Sequence, residues 1–202
     1  CLAMYAVAMG LLEAICVIYL RHLGPFRFAS SWSHQRIEII REICTIVMLV
    51  TVAWLTGIHA RSRISCFLFA FGIWDIFYYL GLMWLAGWPD SLLTWDCLFL
   101  IPKPWYGPVL APMLISAYFV AMCCLQHLWE ARGKPLRWSA TVLLLQMFAA
   151  ALWYISFVRD TPNIVAHGYN GITYSWALFL AGALLAVVGL GWAAIGSKPV
   201  RA

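Results

Sequence analysis

Charged side chains are scarce in this sequence of 202 residues. They make up 10% of the chain, whereas hydrophobic residues make up 64%; soluble domains have about 25% charged and about 45–50% apolar residues. This composition excludes an ordinary soluble domain and indicates an integral membrane protein. The net charge of +5 is ordinary for a chain whose membrane helices have cationic flanks, and it gives no indication of nucleic-acid binding.

The sequence also lacks the short motifs of familiar enzymes and metal sites. It contains no HExxH, no P-loop and no CxxC among its seven cysteines. The cysteines are therefore best interpreted as small apolar packing residues. Apart from His34, the histidines are scattered near predicted helix ends, which does not favour axial haem ligation. The sequence does not identify a cofactor.

What the chain does have is a series of apolar stretches near 20 residues, the length that crosses a hydrocarbon core of about 30 Å. They predict a single all-α bundle over residues 1–202, with six transmembrane helices at 2–20, 38–58, 64–87, 109–128, 138–158 and 173–196. Seven lysines and arginines flank the side of the termini, against five on the other side. The positive-inside rule therefore predicts that both termini are cytoplasmic.

The segment between the third and fourth predicted helices is apolar but too broken to cross a membrane as a simple helix. Residues 84–112 contain five prolines and four tryptophans, and proline breaks helix interiors. We expect an interfacial or re-entrant helical hairpin on the outer face, with Pro89 at its first turn and Pro102 at its end. Its aromatic side chains predict a docking or ligand surface made of Trp88, Asp90, Trp95, Asp96, Trp105 and Tyr106.

Two aspartates within this segment have alternative roles. Asp90 and Asp96 are nearly two helical turns apart, so a continuous short helix would place them roughly on one side. Paired carboxylates can perform acid–base work or bind a cation. In the simpler alternative Asp90 caps the helix and Asp96 is solvated or bonded to an indole. A lipid head group, a quinone-like ligand or a partner subunit would suit the surrounding aromatic residues.

Several ionisable residues fall inside predicted spans, where each costs about 2.5–3.5 kcal/mol on insertion scales. The buried cluster that we expect consists of Glu13, Glu38, Arg41, Glu42 and Asp75. Depth favours the other four members over Glu38, which should lie closer to the water boundary. Three interpretations stay open: a salt-bridge network that fixes helix register, a proton or cation route, and a metal site.

The metal interpretation concerns one face of the second helix. His34, Glu38 and Glu42 recur every four residues there. Imidazole and carboxylate groups suit zinc, iron or manganese, although no ExxH recurs in two helices to complete such a site. Near Asp75, the indole of Trp74 or the phenol of Tyr78 is expected to donate a hydrogen bond to the carboxylate.

A resemblance can be stated on the run WDIFYY followed by GWPDSLLTWDCLFLIPKPWYGPVLAP. It resembles a signature, WDxFYY...GWPxSLLTWDxLFLIPxPWxGPVLAP, of bacterial multispanning membrane proteins whose function is unassigned. The similar part is a limited fraction of the chain. The resemblance implies a place in the bacterial inner membrane and implies no activity.

Three classes of function follow from these observations. The one that we expect is an accessory or assembly subunit of a larger membrane complex, whose partners are lipids and other membrane-protein subunits. The second is an intramembrane enzyme acting on a lipid or isoprenoid, and its candidate catalytic acids are Glu13, Glu42, Asp75 and Asp96. The third is a small proton- or cation-coupled transporter, which the lack of a detectable inverted repeat disfavours.

Overall fold

The computed structural model describes residues 1–22, 32–169 and 171–197. In this part of the chain six helices are long and apolar enough to cross a membrane, which confirms the predicted number of spans and a multi-pass helical protein. The elements, in chain order, are α1 (Leu2–His22), α2 (Trp32–Thr56), α3 (Ala60–Ala86), β1 (Trp95–Phe99), β2 (Trp105–Pro108), α4 (Leu110–Ala131), α5 (Ala140–Val158), α6 (Thr161–His167) and α7 (Trp176–Ile195).

Local sequence explains where several helices begin and end. α3 stops at Gly87, which adopts a left-handed φ of 64°. The Gly87 N–H bonds to the Met83 carbonyl at 3.1 Å and the Trp88 N–H to the Leu82 carbonyl at 3.4 Å, as in a Schellman cap. At the start of α5 the Ser139 hydroxyl accepts from the third backbone amide of the helix, the usual work of an N-cap serine.

α1 and α3 run parallel and in close contact. A Cβ on Gly10 would lie 2.5 Å from the Trp74 carbonyl oxygen, and a Cβ on Gly81 would lie 2.9 Å from the Ala14 side chain. Glycine at both positions therefore lets the two backbones approach, as small residues do between membrane helices. α5 packs against α7 in the same way along most of its length, and α3 joins the two groups through α4.

The segment between α3 and α4 differs from the prediction. In place of a helical hairpin, β1 and β2 form an antiparallel β-hairpin in which Trp95 pairs with Pro108 and Phe99 with Trp105. A short apolar run does not distinguish helix from strand, and here residues 105–108 supply a partner while Pro102 and Pro104 occupy the connecting loop. The ladder extends outward, since the Val109 N–H bonds to the Thr94 carbonyl at 3.0 Å.

The β-hairpin lies between the two groups of helices and touches both. Phe99 stacks on Phe71 of α3 with ring centroids 6.3 Å apart, and Trp105 stacks on Phe157 of α5 at 6.1 Å. Its connecting loop is held from both sides: the Leu100 N–H donates to a carboxylate of α2, and Thr161 of α6 donates to the Pro104 carbonyl at 2.8 Å. The hairpin thus forms the inner wall between the helix groups.

Candidate functional site

A cavity of about 310 Å³ lies between α1, α2, α3 and the β-hairpin. Along α1 its lining extends from Glu13 to Leu20, about 10 Å at 1.5 Å per residue. We call it the hairpin cavity. Its polar lining consists of Glu13, Glu38, Arg41, Glu42, Trp74, Asp75, Tyr78, Tyr79, Trp88, Trp95, Asp96, Cys97 and Tyr169, and its remaining lining is apolar.

The Glu13 carboxylate is the centre of a buried hydrogen-bond network. It accepts from Arg41 of α2, from the Thr45 hydroxyl at 2.9 Å and from the Trp74 indole at 3.0 Å. Arg41 also donates twice to Glu38 Oε2, at 2.8 and 3.0 Å. Glu13, Arg41 and Glu38 are therefore a paired group that fixes α1 against α2, which agrees with the salt-bridge interpretation.

This network corrects two details of the expected cluster. Glu38, predicted to lie nearer water, is buried with 5% of its surface exposed and belongs to the pair. The Trp74 indole donates to Glu13 instead of to Asp75. Helix rotation decides which acid the indole faces, and spacing along one helix does not fix that rotation.

The other two acids of the helices have neutral partners within the described residues. Both oxygens of Glu42 lie 3.0 Å from the Leu100 N–H. Asp75 accepts from the Ser116 hydroxyl of α4 at 2.8 Å. The cluster is thus divided: one arginine serves two of the glutamates, and no described ion pair engages Glu42 or Asp75.

One carboxylate oxygen on the cavity wall stands out. Glu38 Oε1 is buried and accepts no hydrogen bond from the described part of the chain, although Oε2 of the same group accepts two from Arg41. An unsatisfied buried acceptor is costly and rare in native proteins. Glu38 therefore presents an unused acceptor to the hairpin cavity.

Strand β1 contributes two further polar groups. Asp96 accepts a hydrogen bond from the Tyr79 hydroxyl at 3.0 Å. Burial, reinforced by the nearby Asp96 and Glu42 carboxylates, raises the pKa of the Cys97 thiol well above its ordinary value, so this cysteine is a neutral thiol and a poor nucleophile. Burial likewise raises the pKa of Tyr169, whose phenol also lines the cavity. Each of these groups can donate a hydrogen bond.

The structure separates the six residues of the predicted hairpin surface. Trp88, Trp95 and Asp96 line the hairpin cavity. Tyr106 is 1% exposed, and Trp105 packs against Tyr154 and Phe157 of α5, so both are spent inside the bundle and offer little surface to a partner. Asp90 is exposed and does not line the cavity. Its predicted pairing with Asp96 was wrong because it required a continuous helix.

Sequence reasoning missed several cavity residues. Tyr79, Cys97 and Tyr169 were not singled out as site residues, and all three line the cavity. Tyr79 lies four residues after Asp75 on the same helix, one turn away on the same face, so this spacing was a usable signal. Cys97 and Tyr169 carry no such signal, because only the strand pairing and the path after α6 bring them to the site.

The predicted metal site is only partly described. Among the described side chains no three histidine, cysteine or acidic groups are placed so that they can hold a metal ion. The His34 side chain lies outside the described residues. The grouping of His34 with Glu38 and Glu42 therefore stays a prediction.

Comparison with known proteins adds no relative. No protein-family model, curated protein or solved structure matches the chain. The resemblance to multispanning bacterial proteins stays a prediction, and a function has to be argued from the cavity.

Proposed function

We propose that this chain is an intramembrane enzyme that acts on a lipid or isoprenoid substrate, whose polar part enters the hairpin cavity. The observation that supports this best is that one cavity has two carboxylates, Asp75 and Asp96, among aromatic walls. A concave pocket with a few convergent polar groups is the usual form of a small-molecule site. Carboxylates within it can give or take protons from a bound substrate.

The volume supports a substrate that is only partly enclosed. About 310 Å³ is at the lower end of the range for ligand pockets and holds a head group with a few carbon atoms. The rest of a lipid chain would lie along the apolar outer faces of the helices, which carry exposed residues such as Tyr19 and Ile40.

Within this proposal Asp75 and Asp96 are the acid–base pair. Each is oriented by one hydroxyl, Asp75 by Ser116 and Asp96 by Tyr79. A carboxyl group held in this way keeps a second oxygen to face a substrate proton. Glu13 takes no direct part, because its carboxylate is occupied by Arg41, Thr45 and the Trp74 indole.

The test is turnover of membrane lipids by purified protein. The chain in detergent is incubated with a total bacterial lipid extract, and new products are followed by liquid chromatography and mass spectrometry. Asp75→Asn and Asp96→Asn should each lower the rate about 100-fold or more, the usual contribution of a positioned acid or base. Asp90→Asn is the matched control, because this aspartate is exposed outside the cavity. No lipid conversion by the wild type, or equal rates in all variants, contradicts the proposal.

The alternative proposal is an accessory or assembly subunit of a larger membrane complex. The pairing of Glu13, Arg41 and Glu38 supports it, since it gives these charges a structural role. Against it, Trp105 and Tyr106 are used inside the bundle instead of on a docking surface. Mass spectrometry after purification in mild detergent tests this alternative: other subunits in stoichiometric amounts support it, and a chain that stays alone contradicts it.

A transporter is the least supported of the three classes. The cavity lining comes from the second half of α1 and α3 and the first half of α2, which are the parts nearest one end of the bundle. A transport route has to open alternately to both ends. Neutralising Glu42 or Asp75 should abolish proton-coupled flux in liposomes if transport is the function, and unchanged flux excludes it.

A further inference from the structure

We propose that the hairpin cavity recognises a ligand with a primary ammonium group, and that Glu38 Oε1 is an acceptor for its N–H. This inference rests on the proposed function, in that the cavity must bind a ligand, and it names the chemistry of the part that is bound. Three independent features of the cavity lead to it: its balance of charges, one unsatisfied buried acceptor and its aromatic walls.

The first feature is the excess of acid. The described lining includes five carboxylates, those of Glu13, Glu38, Glu42, Asp75 and Asp96, and one guanidinium, that of Arg41. The guanidinium is already used by Glu13 and by one oxygen of Glu38. Carboxylates crowded into a buried site must take up protons or be balanced by a cation. A cationic ligand supplies that balance.

The second feature is independent of this count and points to a particular atom. Glu38 is 5% exposed, and its Oε1 accepts no hydrogen bond from the described residues. Arg41 holds the other oxygen of the same carboxylate in two hydrogen bonds. The group is therefore held in place with one acceptor unused. A ligand that donates a hydrogen bond removes the cost of that unsatisfied atom.

The third feature is the aromatic lining. The rings of Trp74, Tyr78, Trp88 and Trp95 belong to the same cavity wall as Glu38. Cations bind favourably to the faces of indole and phenol rings, most strongly where water is excluded. Acidic and aromatic groups around one space are thus a combination suited to an ammonium head. A neutral or anionic head would leave the acids unbalanced.

The experiment compares two probes that differ in the head alone. Hexadecylamine and hexadecanol are titrated against the purified chain in maltoside micelles, and binding is followed by the fluorescence of the cavity tryptophans. We expect the amine to bind at least tenfold more tightly than the alcohol. Glu38→Gln should reduce the affinity for the amine about tenfold or more and leave that for the alcohol nearly unchanged, as loss of a hydrogen bond to a charged group predicts.

Two further variants make the result decisive. Glu130→Gln is the matched control, because this exposed glutamate of α4 bonds to Gln126 far from the cavity lining, and it should bind both probes like the wild type. Val17→Phe adds bulk to the cavity wall without changing charge, so it should weaken binding of both probes. If Glu38→Gln fails to fold, the wild-type ratio and Val17→Phe still decide.

The source of the ammonium group is separated by a short-chain arm. Propylamine at the same concentration tests a free amine, and binding of hexadecylamine alone assigns the head to a lipid; either result supports the inference. Equal affinities for hexadecylamine and hexadecanol overturn it while leaving the cavity as a lipid site. Binding of none of the three probes overturns both this inference and the proposed function.

Discussion

Replacing Glu13 with alanine should destabilise the bundle by about 2–4 kcal/mol. The carboxylate accepts from Arg41, Thr45 and Trp74, and the last two are almost fully buried. A buried donor left without a partner costs about 1–3 kcal/mol. Arg41 keeps its bonds to Glu38, so the total stays below the sum of these losses and the cost of a fully orphaned charge.

The assay is reversible unfolding in mixed micelles with increasing dodecyl sulfate, followed by circular dichroism. Glu13→Gln should lie between the wild type and Glu13→Ala, because the amide oxygen still accepts from Thr45 or Trp74 but carries no charge for Arg41. Glu130→Ala removes an exposed acid of α4 and should change the free energy of unfolding by no more than about 0.5 kcal/mol. If Glu13→Ala is no less stable than Glu130→Ala, the central role assigned to Glu13 is refuted.

Other predictions concern helix packing, thiol chemistry and the hairpin. Gly10→Val should destabilise the bundle by about 1–3 kcal/mol or more, because its side chain meets the α3 backbone; Gly191→Val, which meets nothing within 4 Å, should be nearly neutral in the same unfolding assay. Because burial raises the pKa of the Cys97 thiol, its maleimide labelling should stay slow as pH rises from about 7 to about 9, while the exposed Cys1 reacts faster with rising pH; equal rates in mass spectrometry would contradict this. Tyr79→Phe removes the hydroxyl bond to the aspartate of β1 and should cost about 1 kcal/mol; a thermal shift indistinguishable from wild type argues against that bond.

The helices could be predicted because their signal is local. Each span is an apolar stretch of the length that a hydrocarbon core requires, and charges mark its ends, so the six predicted positions overlap the six helices observed. The grouping of Glu13 with Arg41 follows from cost, since a buried acid needs a partner and few are present in the sequence. These inferences need no knowledge of how the helices rotate.

The β-hairpin and the details of the cavity depend on contacts between distant parts of the chain. The run 92–101 is compatible with a short helix by composition, and it becomes a strand because residues 105–108 pair with it. Glu42 was expected among charges and instead bonds to the backbone of Leu100, 58 residues away. Period and spacing describe one element at a time, so neither outcome was accessible from them.

The clasp on the hairpin loop has a consequence for biosynthesis. The loop bonds to α2, which leaves the ribosome before it, and to Thr161 of α6, which leaves the ribosome after it. Strand backbone cannot stay exposed to lipid without hydrogen-bond partners. The nascent hairpin must therefore wait at a wet surface, or in the insertion machinery, until α5 and α6 have been made. A nascent chain that ends before Thr161 has all the acids of the site and no closed wall around them.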